Sequence, residues 1–315
     1  RITVAPDGYF EIDENGDLMP MITPITSEIF MLDENGDITY QEDIDLEPGG
    51  GIELYGKTEF VDSVADLRAS SFYGTTEYVY VVGYYGAGTP GGGMFYRDTE
   101  SSEVDNGGTI IVDGDGIRWK RANVHEKYYA SWFGVSTNID DNSPLIQNAL
   151  NTMPSGSVLI FAPGTYQCKQ TIVIPDHPTD STFVKSVVIQ GSANINTRYY
   201  QNDMTRLRYA GQAASTLTPF IDFTGSTKNK WFIGAIRGIE FVGPGKTSNI
   251  VGLWLYFCIE SIFDNVFVTS FQYGMQIDAD YYYNEFNNLI CTNCDYGFRA
   301  NHIGNGSIFN YCTFM

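Results

Sequence analysis

The sequence predicts an all-β chain that ends in a right-handed parallel β-helix, and three observations carry this. Phe263-Asp264-Asn265-Val266-Phe267-Val268 returns after 23 residues as Phe286-Asn287-Asn288-Leu289-Ile290-Cys291, and after 23 more as Phe309-Asn310-Tyr311-Cys312-Thr313-Phe314. Tyr273-Gly274-Met275 keeps the same step to Tyr296-Gly297-Phe298, and Val251-Gly252-Leu253 stands 22 residues earlier. The composition, with 33 Gly, 22 Tyr and 20 Phe in 315 residues, suits strands packed on rings and broken by turns. A fixed period of roughly 20–50 residues means stacked units that cannot bury their apolar faces alone. Each unit here is short and turn-punctuated, so it reads as one coil; Ile236-Arg237-Gly238-Ile239-Glu240-Phe241 is an older copy.

Three regions precede or compose this array: 1–56, 57–127 and 128–315. In the first, Tyr9–Leu18 returns as Ile29–Ile38, each copy an alternating strand, an Asn-Gly pair and a second strand. Asn-Gly suits a type I′ hairpin turn, which needs positive φ at both central residues. Isolated hairpins are not stable in water, so these are expected to pack on other chains or a larger assembly. The Asp-Glu-Asn-Gly-Asp runs lack EF-hand spacing and its bidentate Glu, which leaves them as turns. Glu47-Pro48-Gly49-Gly50-Gly51 reads as a linker. The second region reads as a small β domain, with a strand at Tyr78–Tyr85 and a hairpin from Thr109–Val112 through Asp113-Gly114-Asp115-Gly116 to Trp119-Lys120-Arg121. Its Gly-rich run from Gly86 to Gly93 has no Walker lysine and precedes a strand, so it is no phosphate cradle. The third opens on Asp140-Asp141-Asn142-Ser143-Pro144, an N-cap cluster. A short helix follows with Leu145, Ile146, Ala149 and Leu150 on one face, placed to cap the open edge of the first coil. Strands start at Val158–Tyr166.

Charge and cysteine usage exclude several functions. A net charge of −20 opposes nucleic acid and anionic membrane as partners. The longest apolar stretch, Ile250–Ile259, is too short to span a bilayer, and no signal peptide is visible. Arg1 suggests a fragment or processed product, and the repeat stops in mid-coil at Met315, so the protein is expected to continue beyond it. Cys291-Thr292-Asn293-Cys294 has half the spacing of a zinc site, with no second half. Cys291 and Cys312 fall on core positions of the repeat. His125, His177 and His302 show no metal spacing, so neither metal nor cofactor is expected.

Taken in order, Asp66-Leu67-Arg68-Ala69, Gly83-Tyr84-Tyr85, Gly91-Gly92-Gly93-Met94-Phe95, Gly107-Gly108-Thr109, Trp119-Lys120-Arg121, Trp132-Phe133-Gly134, Asp140-Asp141 and Phe161-Ala162-Pro163-Gly164-Thr165-Tyr166 resemble the front half of bacteriophage tailspikes with a pectate-lyase-like β-helix. The resemblance covers about residues 57–315. Val135-Ser136-Thr137-Asn138-Ile139 stands where that family usually has a Gly-Asp-Gly turn, which marks a diverged member. The resemblance implies a virion-located, extracellular homotrimer. Its N-terminal region would attach to phage tail or baseplate proteins and its β-helix would bind, and often degrade, bacterial surface polysaccharide. It transfers no catalytic residues. A structural adaptor or receptor-binding fibre without activity, and a bacterial extracellular pectate-lyase-like enzyme, stand as alternatives.

Alternation sorts the coil faces. Phe263, Val266, Val268, Phe286, Leu289 and Cys291 point inward, with Asn265 and Asn288 at a bend. The outward row Glu240, Phe267, Ile290, Thr313 contains two apolar residues, so Phe267 and Ile290 are assigned to a trimer interface. In the second sheet Leu253, Met275 and Phe298 go inward, and Trp254, Gln276, Arg299 and Tyr256, Asp278, Asn301 form outward rows. Rings beside amide and guanidinium groups suit a sugar chain. Trp254, Tyr256, Gln276, Arg299, Tyr281 and Tyr282 are therefore the substrate-binding candidates, and Asp278, Asp280 and Glu285 the candidate acids of a carboxylate pair.

Overall fold

The computed structural model describes residues 10–12, 18–20, 30–32, 38–40, 57–72, 74–192, 204–302 and 304–315. The chain divides into two units, Arg1–Leu54 and Tyr55–Met315. In the first, Phe10–Ile12 pairs antiparallel with Leu18–Pro20, and Phe30–Leu32 with Ile38–Tyr40. Ile12 faces Leu18 and Leu32 faces Ile38, which spans residues 13–17 and 33–37. The strands pair as hairpins, and the Asn-Gly turns expected between them lie outside the described residues. The connections and the Gly-rich linker lie outside the described residues.

The second unit opens with a sheet of five strands in the order Lys57–Val61, Thr76–Val81, Gly93–Asp98, Arg118–Arg121, Ile110–Val112. The helix Val64–Ala69 starts at Ser63, whose hydroxyl accepts from the Asp66 N–H at 3.1 Å. Val64, Leu67, Val79, Val81, Phe95, Ile111 and Trp119 bury a core of their own. Trp119 donates its indole N–H to Asp113 at 2.8 Å. The strand expected at Tyr78–Tyr85 stops at Val81, because Gly83 to Gly92 folds back as a turn.

Arg121 joins this domain to the start of the coils. Its guanidinium donates to the Gly91, Gly92 and Gly108 carbonyls at 2.7–3.1 Å. It lies 4.5 Å from the Phe95 ring and 4.8 Å from the Trp132 ring. Burial pushes its pKa down to about 10, so it remains charged at neutral pH. A Cβ on Gly91 would stand 2.1 Å from the Ser131 carbonyl oxygen, which is why the run carries glycine there.

The expected capping helix runs Ser143–Thr152 and buries Ile146, Ala149 and Leu150. It closes the sheet edge chemically as well as sterically. The Gln147 amide accepts from the Val173 N–H at 2.8 Å and donates to the Val173 carbonyl at 2.9 Å, as a neighbouring strand would. Lys185 donates to the carbonyls of Leu150, Asn151 and Met153 at 2.8–3.0 Å, satisfying the helix's free C-terminal acceptors.

Behind this cap the chain coils as a parallel β-helix. One sheet runs in register through Lys127–Tyr129, Ser157–Ile160, Val187–Gln190, Gly234–Val242, Ile262–Thr269, Glu285–Thr292 and Ile308–Asn310. A second runs through Ile172–Val173, Thr218–Asp222, Ile250–Leu255, Tyr273–Ile277 and Tyr296–Ala300. A third is short: Trp231–Phe232, Phe257–Ile259, Tyr281–Tyr282. Between them lies one continuous core, in which Phe263 and Phe286 stack at 5.1 Å, and the exposed Phe309 of the last coil continues the stack at 4.4 Å.

The 23-residue step is the regular end of a looser series. Ser157 faces Val187, Val187 faces Gly234 and Ala235 faces Ile262, before Ile262 faces Glu285 and Glu285 faces Ile308. In the regular coils left-handed residues repeat with the step: Glu260, Tyr283 and Gly306; Gly238, Asn265, Asn288 and Tyr311; Ser270 and Asn293. Gly and Asn adopt this conformation most readily. The recurring Gly of the second marker has another cause, since a Cβ on Gly274 would lie 2.5 Å from the Gly297 carbonyl oxygen. All five cysteines are free thiols, four of them buried, and burial raises Cys168 and Cys258 to about 12.

At the second corner Asn288 donates its amide to Asn265 at 2.8 Å, but its own buried Oδ1 has no partner, because Tyr311 takes the next position. Tyr311 is 90 % exposed, so replacing it removes little packing. Tyr311→Asn is expected to extend the amide ladder and relieve left-handed strain, stabilising by about 1–2 kcal/mol. A thermal midpoint at or below that of the parent chain contradicts the ladder.

Candidate functional site

The register places the expected second-sheet row. Asp222 faces Trp254, Trp254 faces Gln276 and Gln276 faces Arg299. The side chains do not form the open row the alternation implied. Gln276 is only 4 % exposed and donates to Asp278 at 2.6 Å. Trp254 also donates to Asp278 at 2.6 Å, and Asn301 at 3.2 Å. Asp278 thus accepts from three side chains and orders the row. Arg299 stays exposed and reaches over the Tyr273 ring at 5.3 Å; Tyr273 stacks on Tyr296 at 4.8 Å and 9°.

The third sheet carries the denser aromatic surface. Trp231 stacks on Phe257 at 4.3 Å and 12°, and the Tyr282 ring lies 6.1 Å from Trp231 at 25°. Tyr256 meets Phe257 edge-on at 4.6 Å, so it belongs to this face. Asp280 lies 3.4 Å from His302 Nδ1. Its hydrogen bond to Tyr282, aided by desolvation, holds that phenol above its usual range. Tyr281, expected to face out beside Tyr282, instead packs on the core and meets Phe298 edge-on at 6.3 Å. Neighbouring strand residues take opposite faces, so the two tyrosines cannot share a role. Glu285, in the first sheet, faces Ile262 and Ile308 and accepts from Asn287 at 3.5 Å. No hydrogen bond found among the described residues joins two of the three candidate acids.

Phe267 and Ile290 need a second correction. They do point away from the main core, yet they are 3 % and 7 % exposed and form a separate cluster with Met204. The chain covers them itself, so they offer no free apolar row to a sister subunit. Arg206 pairs with Glu240 one coil earlier on the same row.

Trp231, Phe257, Tyr273 and Tyr296 are the surface residues that sequence reasoning did not assign. The Tyr273/Tyr296 pair was visible as a repeat marker. Trp231 was hidden because 26 residues separate it from its partner Phe257, and Phe257 because the position 23 residues on is Asp280 and not a ring.

Residues 60–124 match a family model described as the phage tail protein small four-stranded beta-sheet domain. No curated protein matches the chain. Solved structures similar in fold include the tailspike protein of Acinetobacter phage vB_ApiP_P1, at 18% identity and TM-score 0.49, over 82% of this chain and 45% of that one. The enzymatically active domain of tailspike protein 2 from bacteriophage CBA120 matches at 15% and 0.47, over 78% and 40%. A tailspike of Acinetobacter baumannii bacteriophage Fri1, described as a capsular polysaccharide depolymerase, matches at 12% and 0.41, over 80% and 54%. The chain thus spans about half the length of these proteins or less. No helix among the described residues is long and apolar enough to cross a membrane.

Asp278→Asn places an amide NH2 among three donors. It is expected to lower stability by about 1–3 kcal/mol, read as a lower thermal midpoint; an unchanged midpoint contradicts the ordering role of Asp278.

Proposed function

We propose that this chain is the tail-proximal part of a phage tailspike that binds a host surface polysaccharide along its coils. The observation that carries the reading is the third-sheet surface, where Trp231, Phe257 and Tyr282 lie along the coil stack beside Asp280 and His302. Rings give a sugar chain apolar faces to lie on, and the carboxylate and imidazole give directed hydrogen bonds. Arg299, Tyr273 and Tyr296 on the second sheet extend the same chemistry. An open lateral surface suits a polymer better than a small metabolite, which would need enclosure. The phage-tail match of residues 60–124 supports tail attachment, with region 1–56 as the part that meets tail or baseplate proteins. The working assembly is a homotrimer located on the virion and outside the host.

Degradation is the finer part of the proposal. Asp278, Asp280 and Glu285 are the acids to test, Asp278 being the one that already accepts from three side chains. The distance between the two carboxyl groups that act would set the stereochemical outcome, inversion at about 6.5–9.5 Å and retention at about 5–5.5 Å.

Fluorescence-labelled capsular or lipopolysaccharide oligosaccharides from susceptible bacteria test the reading. Trp231→Ala with Phe257→Ala is expected to weaken binding about tenfold, the equivalent of about 1.4 kcal/mol, and Arg299→Ala somewhat less. A release of reducing ends would show cleavage. The absence of binding to any host polysaccharide would overturn the proposal.

A further inference from the structure

We infer that the solvent-facing side of the small β domain's sheet is a contact surface between copies of this chain. The inner side of that sheet is accounted for, with Val79, Val81, Phe95 and Trp119 in the domain core. Alternation sends the intervening residues the other way. Phe60, Tyr80 and Met94 face one another across three strands, and Tyr78, Tyr96 and Lys120 form the next row. Phe60 is 70 % exposed, and Tyr78, Tyr80, Met94 and Tyr96 are exposed as well. Phe60 and Tyr80 touch, with centroids 5.8 Å apart. Five side chains that each bury 150–250 Å2 when covered, at these exposures, leave an apolar patch of roughly 450 Å2. That lies within the range of functional patches on single chains. It is about half of what one partner contributes to an ordinary stable interface. A recess of about 410 Å3, lined by Glu77, Tyr78, Tyr96, Arg97 and Thr99, adjoins it.

Electrostatics chooses the occupant. At a net charge of −20, copies of this chain repel each other over most of their surface. The two rows contain no carboxylate. Asp98, on the same face two residues beyond Tyr96, and Glu103 both pair with Lys120, at 2.9 and 2.5 Å, and that hydrogen bond holds both carboxyls below their usual range. With Asp98 and Glu103 paired to Lys120 and Glu77 beside Arg97 at the recess, the patch is an aromatic window whose flanking carboxylates are largely balanced, where a second acidic copy can approach at least cost. A strongly basic partner would find its attraction elsewhere on the surface. With Phe267 and Ile290 covered by their own chain, this face replaces them as the exposed apolar surface for assembly. The inference rests on the multi-copy assembly proposed above and gives it a location.

Sedimentation velocity of the full chain, with Phe60→Glu and Tyr80→Glu, tests it. The parent chain is expected to sediment as an oligomer at micromolar concentration, and each variant to associate at least tenfold more weakly with an unchanged circular dichroism spectrum. Peroxide oxidation gives a second reading that needs no variant. Met94 is expected to oxidise severalfold more slowly in concentrated than in dilute protein. Variants that keep the parental mass distribution, or a Met94 rate independent of concentration in an oligomeric parent, overturn the location alone. A parent that is monomeric throughout overturns the assembly as well, and leaves the polysaccharide reading to its own assay.

Discussion

Parallel stacking of coils in strict register is the constraint on which the rest of this structure depends. Once Ile262 faces Glu285 and Glu285 faces Ile308, every residue inherits the environment of the one 23 positions away. That single rule stacks Phe263 on Phe286 in the core and Phe309 on Phe286 at the last coil. It also fixes glycine at 252 and 274, where the next coil's carbonyl leaves no room for a Cβ, and aligns the left-handed corners. The same register carries side chains outward in rows, so a recognition surface on this scaffold is a row or a ladder. A one-residue slip would exchange inner and outer faces together, which couples the integrity of the core to the integrity of the surface.

The first coils need help that the later ones do not. A parallel sheet has open edges, and the helix Ser143–Thr152 closes one through the Gln147 amide on Val173. Lys185 in turn ties down the end of that helix. In front of it Arg121, a buried cation held by three carbonyls and two rings without a carboxylate, ties the glycine run and Phe95 of the small β domain to Trp132. Removing such a group leaves its carbonyl partners at Gly91, Gly92 and Gly108 unsatisfied inside the small β domain and takes away the cation–π contact to Trp132.

Much of this was legible in the sequence, and the failures have physical causes. The regular coils announced themselves because three of them share one length, and Asn265, Asn288 and the Tyr-Gly pairs mark corners and close approaches. The helix showed in its cap cluster and the spacing of Ile146, Ala149 and Leu150. Alternation placed Phe267 and Ile290 on the outer side correctly, but it knows nothing of Met204, which arrives from a longer coil and covers them. Gln276 likewise faces outward in register and is buried by the side chains that converge on Asp278. Tyr281 and Tyr282 are adjacent in sequence and opposite in space. Trp231 escaped notice because 26 residues separate it from Phe257, and Phe257 because Asp280 and not a ring stands 23 residues on.

The central claim is that the third-sheet ladder of the coil stack is the ligand surface. Hydrogen exchange of the full chain, with and without host surface polysaccharide, tests it most directly. Slowed exchange is predicted to concentrate in residues 229–232, 256–259 and 280–283, with a smaller effect around 296–300. Protection confined to residues 57–124, or spread evenly over the first sheet, would contradict it.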